Sequence, residues 1–289
     1  MKKDAFSQCH PLTNFLFFLG AIGFCAVIQH PVYLLLGAAG AGGYYLLLKG
    51  KKGWKLIAGM VPVFLVLSGM NPLLNTYGET VLFHLFGRPY TLEALLYGMV
   101  IAGMLVVMLL WFGCYSAVLT SDKFVCLFGG LIPSLSLLLV MILRMIPSLT
   151  RKAVQIADAR KSIGKGTGGS GSKKDKVQGG MRILSALTDW ALEGSIVTAD
   201  SMRARGYGCA KRSSFRIYRF TPRDIILICL MVLLLLGTLL AGGTEASFTP
   251  ELRVDSPTWG IAAYAGFLLI PLVLHGIEEI QQRASLARL

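Results

Sequence analysis

The stretch ALLYGMVIAGMLVVMLLWFGCYSAVL, residues 94–119, decides the class of fold. It is continuously apolar and longer than the roughly 20 residues that an α-helix needs to cross the hydrocarbon core of a bilayer. Its apolar residues do not alternate with polar ones, as they would in a strand of a transmembrane β-barrel. The stretch therefore predicts a membrane-spanning α-helix.

Similar apolar runs occur along most of the chain. Its 289 residues are 54% hydrophobic and only 15% charged, whereas a soluble domain carries about 25% charged residues. The other runs lie at residues 14–28, 31–48, 59–70, 224–243 and 259–277. We therefore expect an all-α polytopic membrane protein. The six cysteines are scattered without a CxxC pair or a Cys/His cluster, so no metal site is expected.

Positive charge is concentrated in one segment. Of the formal net charge of +13, residues 151–223 carry 16 Lys and Arg against five Asp and Glu, a net charge of +11. Cytoplasmic loops collect Lys and Arg, so this segment is expected in the cytoplasm, together with Lys49–Lys55 and Met1–Lys3. Residues 244–257 hold three acids and one arginine, which fits the outer side of the membrane.

These sides constrain the path of the chain through the membrane. They predict about six crossings, near residues 12–28, 32–48, 56–70, 93–118, 224–243 and 258–280. The apolar run 124–147 starts and ends on the inner side, so it cannot be a single crossing. Gly129, Gly130 and Pro133 favour a break in its middle, and we expect two shorter helices that are re-entrant or lie along the inner surface. Residues 80–86 are a further candidate for partial insertion.

A cytoplasmic insert, residues 149–223, is expected between the membrane helices. Residues 149–164 predict a helix, residues 164–180 a flexible Gly/Ser/Lys-rich linker, and residues 181–206 a longer helix or a helix pair. This last part has an apolar stripe at helical spacing. The stripe consists of Ile183, Leu184, Leu187, Trp190, Ala191, Ile196 and Val197. Gly206 and Gly208 are typical of helix C-caps.

The linker contains GKGTGG, residues 164–169, which matches G-x-G-x-x-G letter for letter. A dinucleotide site needs a strand before this motif and a helix directly after it, and neither is predicted here. The Walker A spacing is absent as well. We therefore expect that the chain is not an enzyme and that it binds neither ATP nor another cofactor of its own.

Two short arginine motifs stand near predicted helix ends in the insert. The first is Ala159-Arg160 in ADARKSIG, and the second is Ala204-Arg205-Gly206 in SMRARGYG. One interpretation is basic charge near the membrane, which holds the topology and contacts anionic lipid. The other is a pair of docking sites. A small residue beside the arginine lets the helix end enter a groove, where the guanidinium forms a bidentate pair with a carboxylate.

The chain resembles the transmembrane T component of energy-coupling factor (ECF) transporters, the CbiQ/EcfT-like family. HPLTNFLFFLG (10–20) resembles the opening segment of the family, and residues 131–164 resemble its passage from a proline through Leu-Arg-Phe-Ile-Pro to the first Ala-Arg-Gly. DSMRARGYG (200–208) closely matches its second motif, Ala-Met-x-Ala-Arg-Gly-Tyr. FTPEL (248–252) resembles the longer members. The likeness covers most of the chain.

The resemblance implies a connector between two cytoplasmic ABC-type ATPases, which bind ATP and Mg, and a substrate-capturing membrane subunit, the S component. Such a complex takes up a vitamin or a transition-metal ion. By resemblance, Ala159-Arg160 and Ala204-Arg205-Gly206 each seat in one ATPase subunit. Arg144 and Arg203 are candidates for supporting the coupling. Arg144 lies in an apolar run, where a functional arginine and a snorkelling one are both open interpretations.

Two departures from the family pattern stand out. Lys161 follows the first arginine where the family usually has a small residue, and the glycine-rich linker is longer than usual. Two other functions stay open. An autonomous permease would need charged or polar residues deep in several spans, and few appear. A basic membrane anchor would bind anionic lipid through the insert; nucleic acid is not an expected partner.

The expected organisation is a multi-pass protein of the cell membrane. N-terminal membrane helices occupy residues 1–123, and broken or re-entrant helices occupy residues 124–148. Coupling helices follow over residues 149–223, and C-terminal membrane helices over residues 224–289. Both termini and the coupling helices are expected in the cytoplasm.

Overall fold

A computed structural model describes residues 5–75, 80–85, 88–129, 133–164, 173–209, 218, 220–242, 246–247, 253–254 and 258–286. The chain forms two compact units. Unit 1 comprises residues 1–124 and 218–289, and unit 2 comprises residues 125–217. Unit 2 is thus inserted into unit 1 and is joined to it at two points of the chain.

The described residues are mainly helical. In chain order, the helices are α1 (Ala5–Gln8), α2 (Pro11–Val27), α3 (Pro31–Lys49), α4 (Gly53–Leu74), α5 (Leu92–Val118), α6 (Ser121–Gly129), α7 (Pro133–Ser162), α8 (Lys173–Ala204), α9 (Pro222–Ala241) and α10 (Gly260–Leu286). The strands are β1 (Val81–Leu85), β2 (Arg88–Thr91), β3 (Ala246–Ser247) and β4 (Arg253–Val254).

Four stretches of the described residues are long and apolar enough to cross a membrane: Pro31–Leu74, Leu92–Val118, Pro222–Ala241 and Gly260–Gln281. The first of them contains two helices, α3 and α4. The chain turns between them at Gly50, whose φ is 57°, and at the short 3-10 helix Gly50–Lys52. A shorter apolar helix, α2, precedes them. The protein is therefore an all-α polytopic membrane protein, and each of the six predicted crossings corresponds to one helix.

In unit 1, helices α4 and α5 run in opposite directions, and so do α9 and α10. Gly98, near the start of α5, lies against Asn71, near the end of α4, and Gly260, at the start of α10, lies against Ala241, at the end of α9. A methyl group on Gly98 would come within 2.8 Å of Asn71 Cβ, so the glycine permits this close approach of two helices. Such alternation is the arrangement that successive membrane crossings require.

The centre of unit 1 is an aromatic cluster with almost no exposed surface. Phe17 contacts Phe6, Trp111 and Phe267, with ring centroids 5.1, 5.6 and 5.0 Å apart. Edge-to-face and stacked pairs of this kind contribute roughly 0.5–1.5 kcal/mol beyond the area that they bury. The cluster joins residues from α1, α2, α5 and α10, and it fixes how these helices pack.

Residues 81–85, within the stretch that is a candidate for partial insertion, form strand β1. Strand β1 pairs with β2 in an antiparallel hairpin between α4 and α5. Thr80 Oγ1 donates to Glu93 Oε1 at 2.5 Å, and Tyr90 OH donates to the Gly69 carbonyl at 3.3 Å. The β-branched and aromatic residues of this stretch favour a strand.

Unit 2 departs from the sequence prediction at Pro147. Helix α6 ends at Gly129 and α7 begins at Pro133, on either side of the predicted break. However, α7 continues to Ser162, so the boundary predicted between residues 148 and 149 lies inside one helix. A proline within a helix removes one hydrogen bond and clashes with the preceding turn, at a cost of about 3 kcal/mol. The strong helix formers on both sides of Pro147 outweigh this cost.

The predicted linker 164–180 is also shorter than expected. Helix α8 begins at Lys173, so the prediction is wrong for residues 173–180, which are helical. The first residues of α8 include good helix formers, namely Lys173, Lys174, Lys176 and Gln178. Gly179 and Gly180 are helical as well, because adding residues to a long helix costs less than starting a new one. Residues 165–172 lie outside the described residues, and with them most of GKGTGG. The predicted helix or helix pair over 181–206 is a single helix that ends at Ala204.

Candidate coupling site

The first arginine motif lies in the last turn of α7. Ala159 is exposed and Arg160 is half-buried. The helix ends two residues later, and Gly164 adopts a φ of 74° while its N–H donates to the Lys161 carbonyl at 3.0 Å. Only glycine adopts this left-handed backbone without strain. The glycine therefore stops the helix soon after the motif and keeps Ala159-Arg160 at its end.

The second arginine motif forms a complete helix C-cap. Gly206 has a φ of 75°. Its N–H donates to the Arg203 carbonyl (2.9 Å), and the N–H of Tyr207 donates to the Met202 carbonyl (3.0 Å). These two bonds define a Schellman motif, so the predicted cap at Gly206 is confirmed. Arg205 is the residue at which the helix ends, and its side chain is exposed.

Arg144 and Arg203 do not lie beside the two motif arginines. Arg144 is distant along α7, and Arg203 points to a different side of α8. Arg144 is exposed on α7, 16 residues before Arg160, which is about 24 Å along an α-helix. Arg203 is exposed in the last turn of α8, but residues two apart on a helix do not face the same way. Neither arginine forms a cluster with Arg160 or Arg205 along its own helix.

Helices α7 and α8 contact each other through a charged and an aromatic side chain. Lys152 Nζ lies 5.8 Å from the centroid of the Trp190 ring, within the range of a cation–π interaction. Arg160 lies about 12 Å beyond Lys152 along α7, and Arg205 about 22 Å beyond Trp190 along α8, at 1.5 Å per residue. The two motifs therefore lie on one pair of contacting helices, each on the part of its helix that is C-terminal to the contact.

Helices α7 and α8 of unit 2 expose apolar side chains. Of the stripe predicted on α8, Leu184, Ile196 and Val197 are 56%, 64% and 60% exposed. The other members are half-buried: Ile183, Leu187, Trp190 and Ala191. On α7 the exposed apolar residues are Leu135, Leu138, Val140, Ile142, Met145, Ile146 and Val154. Contiguous apolar surface of this extent is typical of contact with lipid or with another protein.

A buried aspartate in unit 1 has a role that the sequence prediction missed. Asp224 is 3% exposed, and its carboxylate accepts four hydrogen bonds. Oδ1 accepts from His10 N (3.1 Å) and Thr13 Oγ1 (3.3 Å), and Oδ2 accepts from Thr221 N (2.9 Å) and Thr221 Oγ1 (2.7 Å). Thr221 and Asp224 form a capping box at the start of α9. The pattern Thr-x-x-Asp before an apolar run signals this cap, but no local pattern signals the bonds to His10 and Thr13.

A buried lysine lies at the same end of unit 1. Lys123 is 5% exposed. Its ammonium donates to the carbonyl of Ser7 and to that of Val118 (3.0 Å), the last residue of α5. It also donates to the Asn14 side-chain oxygen at 3.1 Å, in the amide orientation in which the Asn14 nitrogen donates to the Phe6 carbonyl (2.8 Å). The starts of α2 and α9 and the end of α5 therefore lie together.

Comparison of the chain with models of known protein families and with curated proteins gives no match. Among the residues that the structure describes, no group of three or more His, Cys, Asp or Glu side chains is placed to hold a metal ion. The functional interpretation therefore depends on the arginine motifs, the exposed helices of unit 2 and the membrane helices of unit 1.

Proposed function

We propose that this chain is the transmembrane coupling subunit of an ECF-type ABC importer. One observation carries the proposal: each of the two long helices α7 and α8 has an Ala-Arg pair at or near its C-terminal end, followed by a glycine with positive φ. Ala159-Arg160 lies in the last turn of α7, four residues before Gly164, and Ala204-Arg205 lies at the end of α8, directly before Gly206. Two similar helix ends on one contacting pair of helices fit two similar partners. In this proposal, Ala159-Arg160 docks on one cytoplasmic ATPase and Ala204-Arg205-Gly206 docks on the other.

The chemistry of each helix end suits docking into a groove. The alanine has no side chain beyond Cβ, so the backbone can approach the partner closely. The guanidinium is planar and offers donors in a fixed fork, which matches a carboxylate in two parallel hydrogen bonds. At the second motif, the Schellman cap ends the helix directly after Arg205, so no further helical turn blocks the approach of a partner.

The exposed apolar surface of unit 2 supports a second contact in the same complex. Side chains such as Leu184, Ile196 and Val197 are more than half exposed, and leaving such area in water is unfavourable by about 25 cal/mol per Å². The proposed occupant is the substrate-capturing S component, whose membrane helices supply a complementary apolar surface. Unit 1 then anchors the complex in the cell membrane, with both termini and unit 2 on the cytoplasmic side.

The division of labour follows from the sequence of this chain. It has no Walker A motif, so ATP and Mg belong to the ATPase subunits, and the chain itself is a connector. The choice of cargo, a vitamin or a transition-metal ion, belongs to the S component.

Co-purification in mild detergent tests the proposal. The chain is expressed with two ABC-type ATPases, and both are expected to stay bound to the wild type. Arg160→Ala and Arg205→Ala together should release both ATPases while the chain still inserts into the membrane. The matched control is Arg182→Ala, since Arg182 is an exposed arginine on α8 outside both motifs. Retention of both ATPases by the double variant, or an equal loss with Arg182→Ala, would refute the proposal.

A further inference from the structure

The chain leaves unit 1 after Phe124 and returns to it at Tyr218. We call these two places the junctions. A buried ionisable side chain lies close to each of them within unit 1: Lys123 directly before the first, and Asp224 shortly after the second. A buried charge is costly unless hydrogen bonds satisfy it, so these two residues are positioned by their partners.

Lys123 is held by oxygen atoms of three residues. Its partners are the carbonyls of Ser7 and Val118 and the side-chain oxygen of Asn14. Val118 is the last residue of α5, where the helix dipole favours a positive charge. The first junction is thereby tied to the end of α5 and to the residues around α1.

Asp224 is held at the starts of two helices. It caps α9 through Thr221 and bonds the backbone of His10 and the hydroxyl of Thr13 at the start of α2. The helix dipole favours a negative charge at such N-termini, and charge-assisted bonds are about twice as strong as neutral ones. The second junction is thereby tied to the start of α2.

Both sets of bonds converge on one segment, Phe6–Asn14, which we call the brace. Its first residue, Phe6, is fully buried, and its ring lies 5.1, 6.2 and 6.3 Å from those of Phe17, Phe18 and Tyr44. The Asn14 amide donates to the Phe6 carbonyl (2.8 Å) and so links the two ends of the brace. The brace is thus fixed in the core of unit 1 and contacts the residues beside both junctions.

We propose that Lys123 and Asp224 are positioning residues that hold the two junctions in register through the brace. With the brace intact, a displacement of unit 2 is passed to α5 and α9 together. Without the brace, the residues at each junction move independently, and a displacement of unit 2 does not move α5 and α9 together. The consequence for transport depends on the proposed coupling function, whereas the mechanical link between the junctions does not.

Hydrogen exchange of the isolated full-length chain in detergent tests the mechanical link. Asp224→Ala should accelerate exchange about tenfold, equal to about 1.4 kcal/mol, at residues 220–226 and also at residues 118–124 beside the other junction. The matched control is Thr238→Ala, which removes a fully buried hydroxyl from the same helix, where it donates to the Leu235 carbonyl. The control should leave residues 118–124 unchanged. Faster exchange at residues 220–226 alone would mean a local cap only and would overturn the proposal.

A milder variant covers the case in which Asp224→Ala does not fold. Thr13→Val removes one of the four bonds to the carboxylate and keeps the shape of the side chain. It should accelerate exchange at residues 220–226 and 118–124 in the same proportion, though less strongly. No change at either junction would also overturn the link.

A transport measurement with the assembled complex tests the coupling. Asp224→Ala and Lys123→Met should retain both ATPases, because Arg160 and Arg205 are intact, but lower substrate uptake at least about tenfold while ATP hydrolysis continues. Normal uptake in a variant with accelerated exchange at both junctions would refute the positioning role. If the wild type binds no ATPase, the proposed function fails, and the exchange result still decides whether the brace links the junctions.

Discussion

Replacement of Arg205 by alanine separates a docking role from a general effect of charge. The Arg205 side chain is exposed at the end of α8, and substitutions at such positions usually change the free energy of unfolding by less than about 0.5 kcal/mol. Arg205→Ala is therefore expected to leave the isolated chain intact. Any large effect must arise in the complex with an ATPase.

The size of the effect follows from the proposed pair with a carboxylate of the ATPase. Truncating one partner of a buried, hydrogen-bonded charge pair typically costs about 2–5 kcal/mol. Since each 1.4 kcal/mol is about a tenfold change in affinity, Arg205→Ala should raise the Kd roughly 30-fold or more. Arg205→Lys should restore only part of the affinity, because an ammonium does not reproduce the planar fork of the guanidinium.

The assay is a titration of the detergent-solubilised chain with one ATPase at constant salt. The comparison variant is Lys173→Ala/Lys174→Ala, which removes two charges from the start of the same helix. If the insert acts only through its charge, each lost cation near an anionic surface is worth about 1 kcal/mol, and the lysine pair should be at least as damaging as Arg205→Ala. That result would refute the docking model and leave the basic segment as a topology signal.

Three further predictions concern the cap, the helix packing and the topology. Gly206→Ala forces alanine into a left-handed backbone at about 1–2 kcal/mol and should weaken ATPase binding about fivefold or more, whereas Gly194→Ala, inside the same helix with open space around it, should leave binding unchanged. Gly98→Ala would bring a methyl group within 2.8 Å of Asn71 Cβ, so the Tm in detergent should fall by an amount that corresponds to about 1–3 kcal/mol, whereas Gly69→Ala, with nothing within 4 Å, should have little effect; an equal fall would contradict the packing. The topology is tested in intact cells with single-cysteine variants that lack the native cysteines. A membrane-impermeant thiol reagent should label a cysteine at position 248 but not at 52, 170 or 285. Labelling at residue 170 would overturn the topology.

The sequence alone predicted the class of fold and most of its membrane helices. A run such as residues 94–119 has little choice of structure in a bilayer, because every backbone polar group must be bonded within the chain and a helix does this locally. The C-cap at Gly206 was equally predictable, since the left-handed backbone that ends a helix favours glycine. These features depend on neighbours along the chain.

Where several local preferences compete, the sequence was less informative. The end of the apolar run 124–147 suggested a boundary, but α7 continues through Pro147 to Ser162 because the residues on both sides favour a helix. The glycines near residue 180 suggested a flexible linker, but α8 already begins at Lys173. In both places the length of the helix outweighs one or two unfavourable residues, since each residue added to an existing helix costs far less than starting a new one.

Only the tertiary structure showed what Lys123 and Asp224 do. In the sequence, Asp224 is one acid at the start of an apolar run and Lys123 is one of many basic residues. Besides the nearby Val118 and Thr221, their partners lie in the brace, more than 100 residues away from Lys123 and more than 200 from Asp224. The bonds form because packing of α2, α5 and α9 brings two helix starts and one helix end to the same end of unit 1, and no local pattern carries that information.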